Sequence, residues 1–165
     1  MSSIRPFQPE DWPTLWPILH SVFAQGDTYA YAPNSSEAEI YNAWVSAPQA
    51  TFVATSRSGD VIGTYVIKPN QPGLGSHVCN CGYVVAQSAR GQGVAAALCA
   101  HSQTQALALG YRSMQFNLVV SSNKVAVRLW QKLGFVIVGN LPGAFHHSRL
   151  GYVDAYVMHK ILLSS

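Results

Sequence analysis

The chain has 165 residues, of which 48% are hydrophobic and only 10% charged, and its formal net charge at pH 7 is +3. This length and composition predict a single globular domain over residues 1–165. We expect no membrane partner, because the apolar runs are too short and no signal-like segment opens the chain. Scattered basic residues argue against nucleic acid. Three cysteines without zinc-ligand spacing favour a reducing, cytoplasmic location and no metal.

Strands and helices are predicted to alternate along the chain. The strands are expected at residues 4–7, 51–55, 61–68, 77–85, 114–120, 135–138 and 151–161. The helices are expected at residues 12–23, about 36–47, 94–109 and 124–133. Pro17 should kink or shorten the first helix, and Ser36 with Glu39 forms a capping-box pattern before the second. This order predicts an α/β fold with a mixed sheet and helices on both faces.

One segment is more informative than the rest: an apolar strand at Val84 leads through a glycine turn into an alanine-rich helix that contains Leu98. Gly91 and Gly93 let the backbone come close to a ligand. The first turn of a helix also offers unpaired N–H groups and the positive end of its dipole to an anion. The junction therefore predicts a phosphate-binding site.

Two common phosphate-binding schemes fit this turn poorly. A P-loop needs Lys and then Ser or Thr after its last glycine, and neither follows Gly93. A dinucleotide fold would accept Gly91-x-Gly93-x-x-Ala96, but it needs an acidic residue about twenty positions later. No Asp or Glu lies between Asp60 and Asp154, whereas seven Lys and Arg residues do. That charge balance suits a polyanionic ligand.

A third pattern, Gln/Arg-x-x-Gly-x-Gly/Ala, is satisfied by Arg90-Gly91-Gln92-Gly93-Val94-Ala95. With this motif the chain resembles the GNAT superfamily of acetyl-CoA-dependent N-acetyltransferases. About thirty residues later, Asn123-x-x-Ala-x-x-Leu leads a helix that ends at Gly134-Phe135, which resembles that family's second signature. The resemblance implies a mostly antiparallel sheet of about seven strands in which the fourth and fifth strands splay apart into a wedge.

The same resemblance places the pantetheine arm of acetyl-CoA in this wedge. Backbone groups of Tyr83 and Val85 would hold the arm, and the amides of the glycine turn would hold the diphosphate. The turn residues with this role are Arg90, Gly91, Gln92, Gly93, Val94 and Ala95. Asn117, Asn123 and Trp130 would complete the cofactor pocket.

The implied reaction is direct attack of a neutral amine on the acetyl thioester in a ternary complex. Many family members have a tyrosine general acid where this chain has Trp130, and an indole N–H cannot act as that acid. Two possibilities stay open. Another hydroxyl substitutes, or hydrogen bonds alone stabilise the thiolate and solvent protonates it.

Three asparagines resemble those of the fungal acetyltransferases that act on azetidine-2-carboxylate and other proline analogues. The resemblance implies that Asn80 binds the carboxylate of the substrate or the surroundings of its amine, and that Asn117 donates to the cofactor sulfur or carbonyl. Asn123 would shape the cofactor pocket, and it also fits a helix N-cap. Asn80 and Asn117 stand in apolar strands, where a buried amide without a partner costs about 1 to 3 kcal/mol. Each is therefore expected to bind a ligand or to belong to a hydrogen-bond network.

The acceptor pocket is less determined by the sequence. Asp27 and Tyr29, in the loop between the first two helices, are the candidate substrate-binding residues, although a solvated turn also explains them. Asp154 on the last strand is expected to pair with a nearby cation.

These observations predict an acetyl-CoA-dependent N-acetyltransferase for a small amine, such as an amino acid or an amino-acid analogue. A homodimer is left open. The alternatives are a catalytically silent acyl-CoA-binding regulatory module and a peptide or protein N-acetyltransferase.

Overall fold

The computed structural model describes residues 2–163, which form a seven-stranded sheet with α-helices on both faces. The strands are β1 (Ser3–Pro6), β2 (Ala50–Thr55), β3 (Val61–Pro69), β4 (Val78–Val85), β5 (Ser113–Val120), β6 (Val136–His147) and β7 (Gly151–Ile161). The helices are α1 (Trp12–Ala24), α2 (Glu37–Tyr41), α3 (Val94–Ala108) and α4 (Lys124–Lys132). The predicted fold class is confirmed.

The strand order is β1-β2-β3-β4-β5-β7-β6, and every neighbouring pair is antiparallel except β4 and β5. Because side chains alternate between the two faces of a strand, β3 contributes Ile67 to one hydrophobic core and Val66 to the other. The first core also contains Leu98 of α3, and the second contains Leu15 of α1. The sheet is therefore covered on both sides.

The parallel pair β4–β5 is short. Its register covers only Val78 with Ser113 and Cys79 with Met114. Beyond these residues β5 continues along β7, with a register shift in the segment from Phe116 to Val119. A shift of this kind bends a strand locally. The two central strands thus diverge and leave one edge of β4 unpaired within the sheet.

Helix α1 is not shortened at Pro17, since it continues through this residue to Ala24. A proline in a helix removes the hydrogen bond to the carbonyl four residues earlier, here Pro13. Both prolines are exposed, so water can replace that bond. The capping box of Ser36 and Glu39 is confirmed, and a π-helical turn (Asn42–Ser46) extends α2 to the predicted length.

The sixth strand is much longer than the predicted residues 135–138. It passes Pro142 as the outer strand of the sheet, where a missing N–H donor is tolerated, and its register shifts there. The expected ion pair of Asp154 is wrong. Its carboxylate accepts hydrogen bonds from the Gly143 N–H (2.9 Å) and the Asn140 side-chain amide (3.2 Å), which lower its pKa. Asp154 therefore secures the irregular part of β6.

No helix within residues 2–163 is long and apolar enough to cross a bilayer.

The entry to α1 is held by a two-point ion pair that should make stability depend on pH. Asp11 accepts from both terminal nitrogens of Arg5, at 2.8 and 2.7 Å, and from the Gln8 N–H at 2.8 Å. The bond to Arg5 lowers the pKa of Asp11. Its contribution is therefore complete above the ordinary Asp pKa of about 4 and is lost as pH falls through the native pKa.

We expect Asp11→Asn to lower the free energy of unfolding by about 1 to 2 kcal/mol at pH 7, a modest value because Arg5 is partly exposed. Urea titrations between pH 3 and 8 should show this difference shrinking below about pH 4. Arg5→Met should likewise lower the free energy of unfolding at pH 7, by a difference from the wild type that shrinks below about pH 4. A difference between Asp11→Asn and the wild type that stays constant down to pH 3 would contradict the assignment.

Candidate active site

A cavity of about 950 Å³ connects the wedge between β4 and β5 with the N-terminus of α3 and with the loop that follows α1. Every candidate site residue of the sequence lines it except Gln92, whose side chain donates to the Ser88 carbonyl instead. The predicted residues on its wall are Asp27, Tyr29, Asn80, Tyr83, Val85, Arg90, Gly91, Gly93, Val94, Ala95, Asn117, Asn123 and Trp130.

The unpaired edge of β4 directs backbone groups into this cavity. Just after the strand, the Ala86 N–H donates to the Ile62 carbonyl of β3 at 2.8 Å. Backbone groups of successive residues point to opposite sides of a strand, so Tyr83 and Val85 direct theirs away from β3. Their N–H and carbonyl groups therefore face the wedge, where β5 does not pair with them.

Tyr29 already engages one of these residues. Its phenol oxygen accepts from the Tyr83 N–H at 2.7 Å and donates to the Tyr83 carbonyl at 2.5 Å. Gly82 lies against this contact, since a Cβ there would be in ordinary van der Waals contact with the Tyr29 hydroxyl at 3.5 Å and with the Trp44 ring at 3.4 Å. Burial raises the pKa of Tyr29, so the phenol stays protonated near neutral pH and can donate.

The loop that carries Tyr29 is packed against aromatic rings and anchored from the far end of the sheet. The rings of Phe23, Tyr31 and Trp44 lie 5.2, 6.2 and 6.1 Å from that of Tyr29. After β6, the Ser148 hydroxyl donates to the Gln25 carbonyl (2.8 Å) and its N–H to the Gly26 carbonyl (3.0 Å). These contacts give the cavity an aromatic wall.

Asp27 lies in the same loop, half-buried, and its side chain lines the cavity. It is the one carboxylate among the cavity-lining residues of the described chain. The sequence expectation of an acceptor-side position is consistent with this location, but its role stays a prediction.

The glycine turn leaves several amides free for an anion. Gly91 and Gly93 have φ angles of +75° and +79°, and a Cβ on either would meet no atom within 4 Å. The Ala97 N–H donates to the Gly93 carbonyl as α3 begins. Within residues 2–163, the preceding amides of residues 94–96 have no backbone acceptor, as expected for a helix N-terminus.

One detail of the turn differs from the expectation. The Arg90 N–H donates to the Gln87 carbonyl at 3.3 Å, because a short 3₁₀ turn precedes it. Arg90 can therefore meet an anion through its exposed guanidinium but not through its backbone amide. Open space, free N–H donors and one cation suit a diphosphate group.

The three asparagines have different environments. Asn123 is a helix N-cap, since its side-chain oxygen accepts from the Ala126 N–H at 3.3 Å. The expectation that Asn117 is buried is wrong: it is exposed, because it lies where the register of β5 shifts. Its amide donates to Asn70 (2.7 Å) and accepts from Gln115 (3.0 Å). The expected network therefore exists, at the surface of the cavity.

Asn80 is half-buried on the face of β4 that is covered by α1 and the aromatic loop. In residues 2–163 its side chain has no hydrogen-bond partner, so its donor and acceptor are free for a ligand. It directly follows Cys79, the last residue of β4 that pairs with β5.

Trp130 forms the opposite wall. Only 9% of it is exposed, and its ring lies 5.0 Å from Tyr83 and 5.2 Å from Phe116. The Tyr83 hydroxyl cannot replace the missing acid in this conformation, because it is bonded to the Ser102 hydroxyl at 2.6 Å inside the core. Burial raises the pKa of this phenol well above its usual value.

Lys68, Tyr31 and Trp44 also line the cavity, although none of them is among the site residues predicted from the sequence. Trp44 belongs to the core as well, being 1% exposed with its indole N–H bonded to Thr64 at 3.1 Å. Lys68 could have been found only from the β3–β4 register, which places it opposite Asn80.

Comparison with known proteins identifies the family to which this fold and cavity belong. Residues 10–135 match the Acetyltransferase (GNAT) family, so the chain belongs to this family. It is 36% identical over 112 residues to the N-acetyltransferase aca1 of Schizosaccharomyces pombe (strain 972 / ATCC 24843). That match covers 67% of this chain and 54% of the relative, so the chain spans about half of its length.

Solved structures agree on the fold. A GCN5-related N-acetyltransferase from Kribbella flavida has a TM-score of 0.92 and 42% identity, with 97% of both chains covered. A phosphinothricin acetyltransferase from Sinorhizobium meliloti, in complex with AcCoA, has a TM-score of 0.86. It is 20% identical, and the match covers 97% of this chain and 88% of that one. At this identity the second similarity concerns the fold alone.

The contact between Tyr29 and Tyr83 can be tested in the protein without ligand. We expect Tyr29→Phe to speed exchange of the Tyr83 amide hydrogen by about three- to tenfold, since one hydrogen bond contributes about 0.5 to 1.5 kcal/mol. The measurement is amide hydrogen exchange followed by NMR. Tyr31→Phe is the matched control, because the Tyr31 hydroxyl makes no hydrogen bond within residues 2–163. Equal exchange in the wild type and Tyr29→Phe would refute the contact.

Proposed function

We propose that this protein is an N-acetyltransferase that uses acetyl-CoA to acetylate the amine of a small acceptor, such as an amino acid or an amino-acid analogue. The observation that carries the proposal is the continuity of one cavity. It joins a helix N-terminus with free amides, an unpaired strand edge and an aromatic pocket. The named activity of the relatives supports the same reaction class.

The chain offers matching partners to the pantetheine arm and to the diphosphate of coenzyme A. Backbone groups of Tyr83 and Val85 would pair with the amides of the pantetheine arm as a further strand would. The amides of residues 91–96 and the Arg90 guanidinium would bind the diphosphate. Trp130 would form an apolar wall beside the arm.

When bound, acetyl-CoA supplies the activated acetyl group. The Tyr83 N–H would bind the carbonyl oxygen of the acetyl group and would stabilise negative charge on it during attack by the amine. Tyr29 would have to release this N–H, because its phenol oxygen accepts from it. The freed phenol would remain in the wedge as a group able to give up a proton, a role that the Trp130 indole cannot take.

On the acceptor side, Asp27 would attract the ammonium form of the substrate and accept its proton before attack. We propose that Asn117 donates to the thioester group, as the resemblance implies, and that Asn70 orients its amide. The aromatic wall and the anchored loop favour an enclosed small substrate over an extended peptide.

The cofactor site is tested by Gly93→Val. A side chain at φ +79° is strained, and the added atoms would stand where the diphosphate approaches. We expect the wild type to bind acetyl-CoA in calorimetry and to release free thiol with one or more members of a panel of amino acids, cyclic imino acids, polyamines, aminoglycosides and short peptides. Gly93→Val should lose both.

Gly59→Val is the matched control, since Gly59 also has a positive φ, +90°, with no atom within 4 Å, and lies in the β2–β3 turn. Gly59→Val should lose a similar amount of stability but should keep acetyl-CoA binding and turnover. Retained acetyl-CoA binding by Gly93→Val would contradict the site. Binding by the wild type without thiol release from any acceptor would favour the catalytically silent module.

Two variants distinguish a direct role of Asn117 in the reaction from a positioning role of Asn70. We expect Asn117→Ala to lower kcat on the order of 100-fold with little change in acetyl-CoA affinity. Asn70→Ala, which keeps the Asn117 amide but removes its acceptor, should lower kcat much less. Steady-state thiol release measures both, and an unchanged kcat for Asn117→Ala would remove this residue from the chemistry.

A further inference from the structure

Acetyl transfer from a thioester to an amine has to deliver a proton to sulfur. When the bond between the acetyl carbon and the sulfur breaks, the electron pair goes to sulfur, and the thiolate takes up a proton to leave as the free thiol. The Trp130 indole cannot supply this proton, because its N–H donates hydrogen bonds without acting as an acid. The proton therefore comes from water or from another group on the wall of the cavity.

Four hydroxyl groups and one thiol line the cavity within residues 2–163. They belong to Thr28, Tyr29, Tyr31, Tyr83 and Cys81. The Tyr83 hydroxyl is bonded to Ser102 inside the core, and the Cys81 thiol is buried in the core beneath α3. Thr28 has an aliphatic hydroxyl, which is a far weaker acid than a phenol. This leaves the two phenols of the loop after α1.

Of these two phenols, Tyr29 reaches the place where the thioester would react. Its oxygen accepts from the Tyr83 N–H at 2.7 Å, so it lies where an acetyl carbonyl oxygen bound to that N–H would lie. In a thioester, the sulfur and this oxygen are bonded to the same carbon. A shift of the phenol by about 3 Å, one hydrogen-bond length, would bring its O–H next to the sulfur. The Tyr31 hydroxyl makes no hydrogen bond to β4 in the described part of the chain.

The surroundings of Tyr29 keep its phenol in the wedge and protonated. The rings of Phe23 and Trp44 lie 5.2 and 6.1 Å from its ring, and Ser148 anchors the start of its loop. Burial raises the pKa of Tyr29, so the phenol carries its proton near neutral pH. A thiolate formed in the same desolvated wedge is also a stronger base than in water, because burial disfavours its charge.

We propose that Tyr29 is the catalytic residue that gives the proton to the sulfur of coenzyme A. The O–H bond of Tyr29 breaks and an S–H bond forms as the bond between carbon and sulfur breaks. One proton leaves the acceptor nitrogen, to Asp27 and then to solvent, and the phenolate regains one from solvent. The products are an amide and a free thiol, with no net change in protons. This inference rests on the proposed acetyltransferase function and assigns the group that replaces the family's tyrosine acid.

The test is the kinetics of Tyr29→Phe with every acceptor that the wild type uses. Thiol release should show kcat lowered about 100-fold, by a similar factor for each acceptor and with little change in the KM of the acceptor. The reason is that the leaving thiolate is the same in every reaction. Acetyl-CoA affinity in calorimetry should be at least that of the wild type, because no phenol then competes for the Tyr83 N–H.

Further variants separate the acid from the aromatic wall. Tyr31→Phe removes the neighbouring hydroxyl and should lower kcat much less. Tyr152→Phe, at a tyrosine of β7 that is 75% exposed and outside the cavity, should change neither kcat nor acetyl-CoA affinity. Adding Trp130→Tyr to Tyr29→Phe places a phenol on α4 at the position of the family's acid and should recover at least tenfold in kcat. Adding Trp130→Phe instead should not.

Three results would overturn the proposal. They are an unchanged kcat in Tyr29→Phe, a loss no larger than that in Tyr31→Phe, and a loss that appears in the KM of the acceptor and differs between acceptors. The last result is that of a substrate-binding residue. In all three cases the wild type still turns over, so the proposed acetyltransferase function stands. If the wild type releases no thiol with any acceptor, that function fails, and the role of Tyr29 fails with it.

Discussion

The short pairing of β4 with β5 is the constraint on which the site depends. Only two residues of each strand pair, after which β5 follows β7 and β4 is left with an open edge. Backbone N–H and carbonyl groups need partners, and an edge inside a protein cannot obtain them all from the sheet. In this chain the edge leads directly into the glycine turn and the free amides of α3. One continuous run of backbone therefore provides both an open strand edge and a set of free N–H donors.

Tyr29 satisfies part of this edge. Its phenol takes the N–H and the carbonyl of Tyr83 together, at 2.7 and 2.5 Å, and burial keeps it protonated. Because the proposed acetyl transfer would need the same N–H, binding of acetyl-CoA would require the Tyr29 phenol to move. Hydrogen bonds connect the loop that carries Tyr29 to β4 on one side and to Ser148 on the other.

Local sequence patterns predicted what depends on local physics. The glycine turn, the N-cap of Asn123 and the capping box of Ser36 each follow from backbone geometry within a few residues, and each is present. The features that escaped prediction are set by pairing between distant segments. Asn117 is exposed because β5 shifts its register there, and Lys68 faces Asn80 because β3 and β4 align. The contact of Tyr29 joins residues 54 positions apart, which no periodicity reveals.

The most direct measurement is a crystal structure of the protein with acetyl-CoA. The account predicts that the Tyr83 N–H bonds to the thioester carbonyl, that the Tyr29 phenol has left this position, and that the diphosphate lies on the amides of residues 91–96. A complex in which Tyr29 still holds both backbone groups of Tyr83, with the cofactor bound outside the wedge, would contradict it.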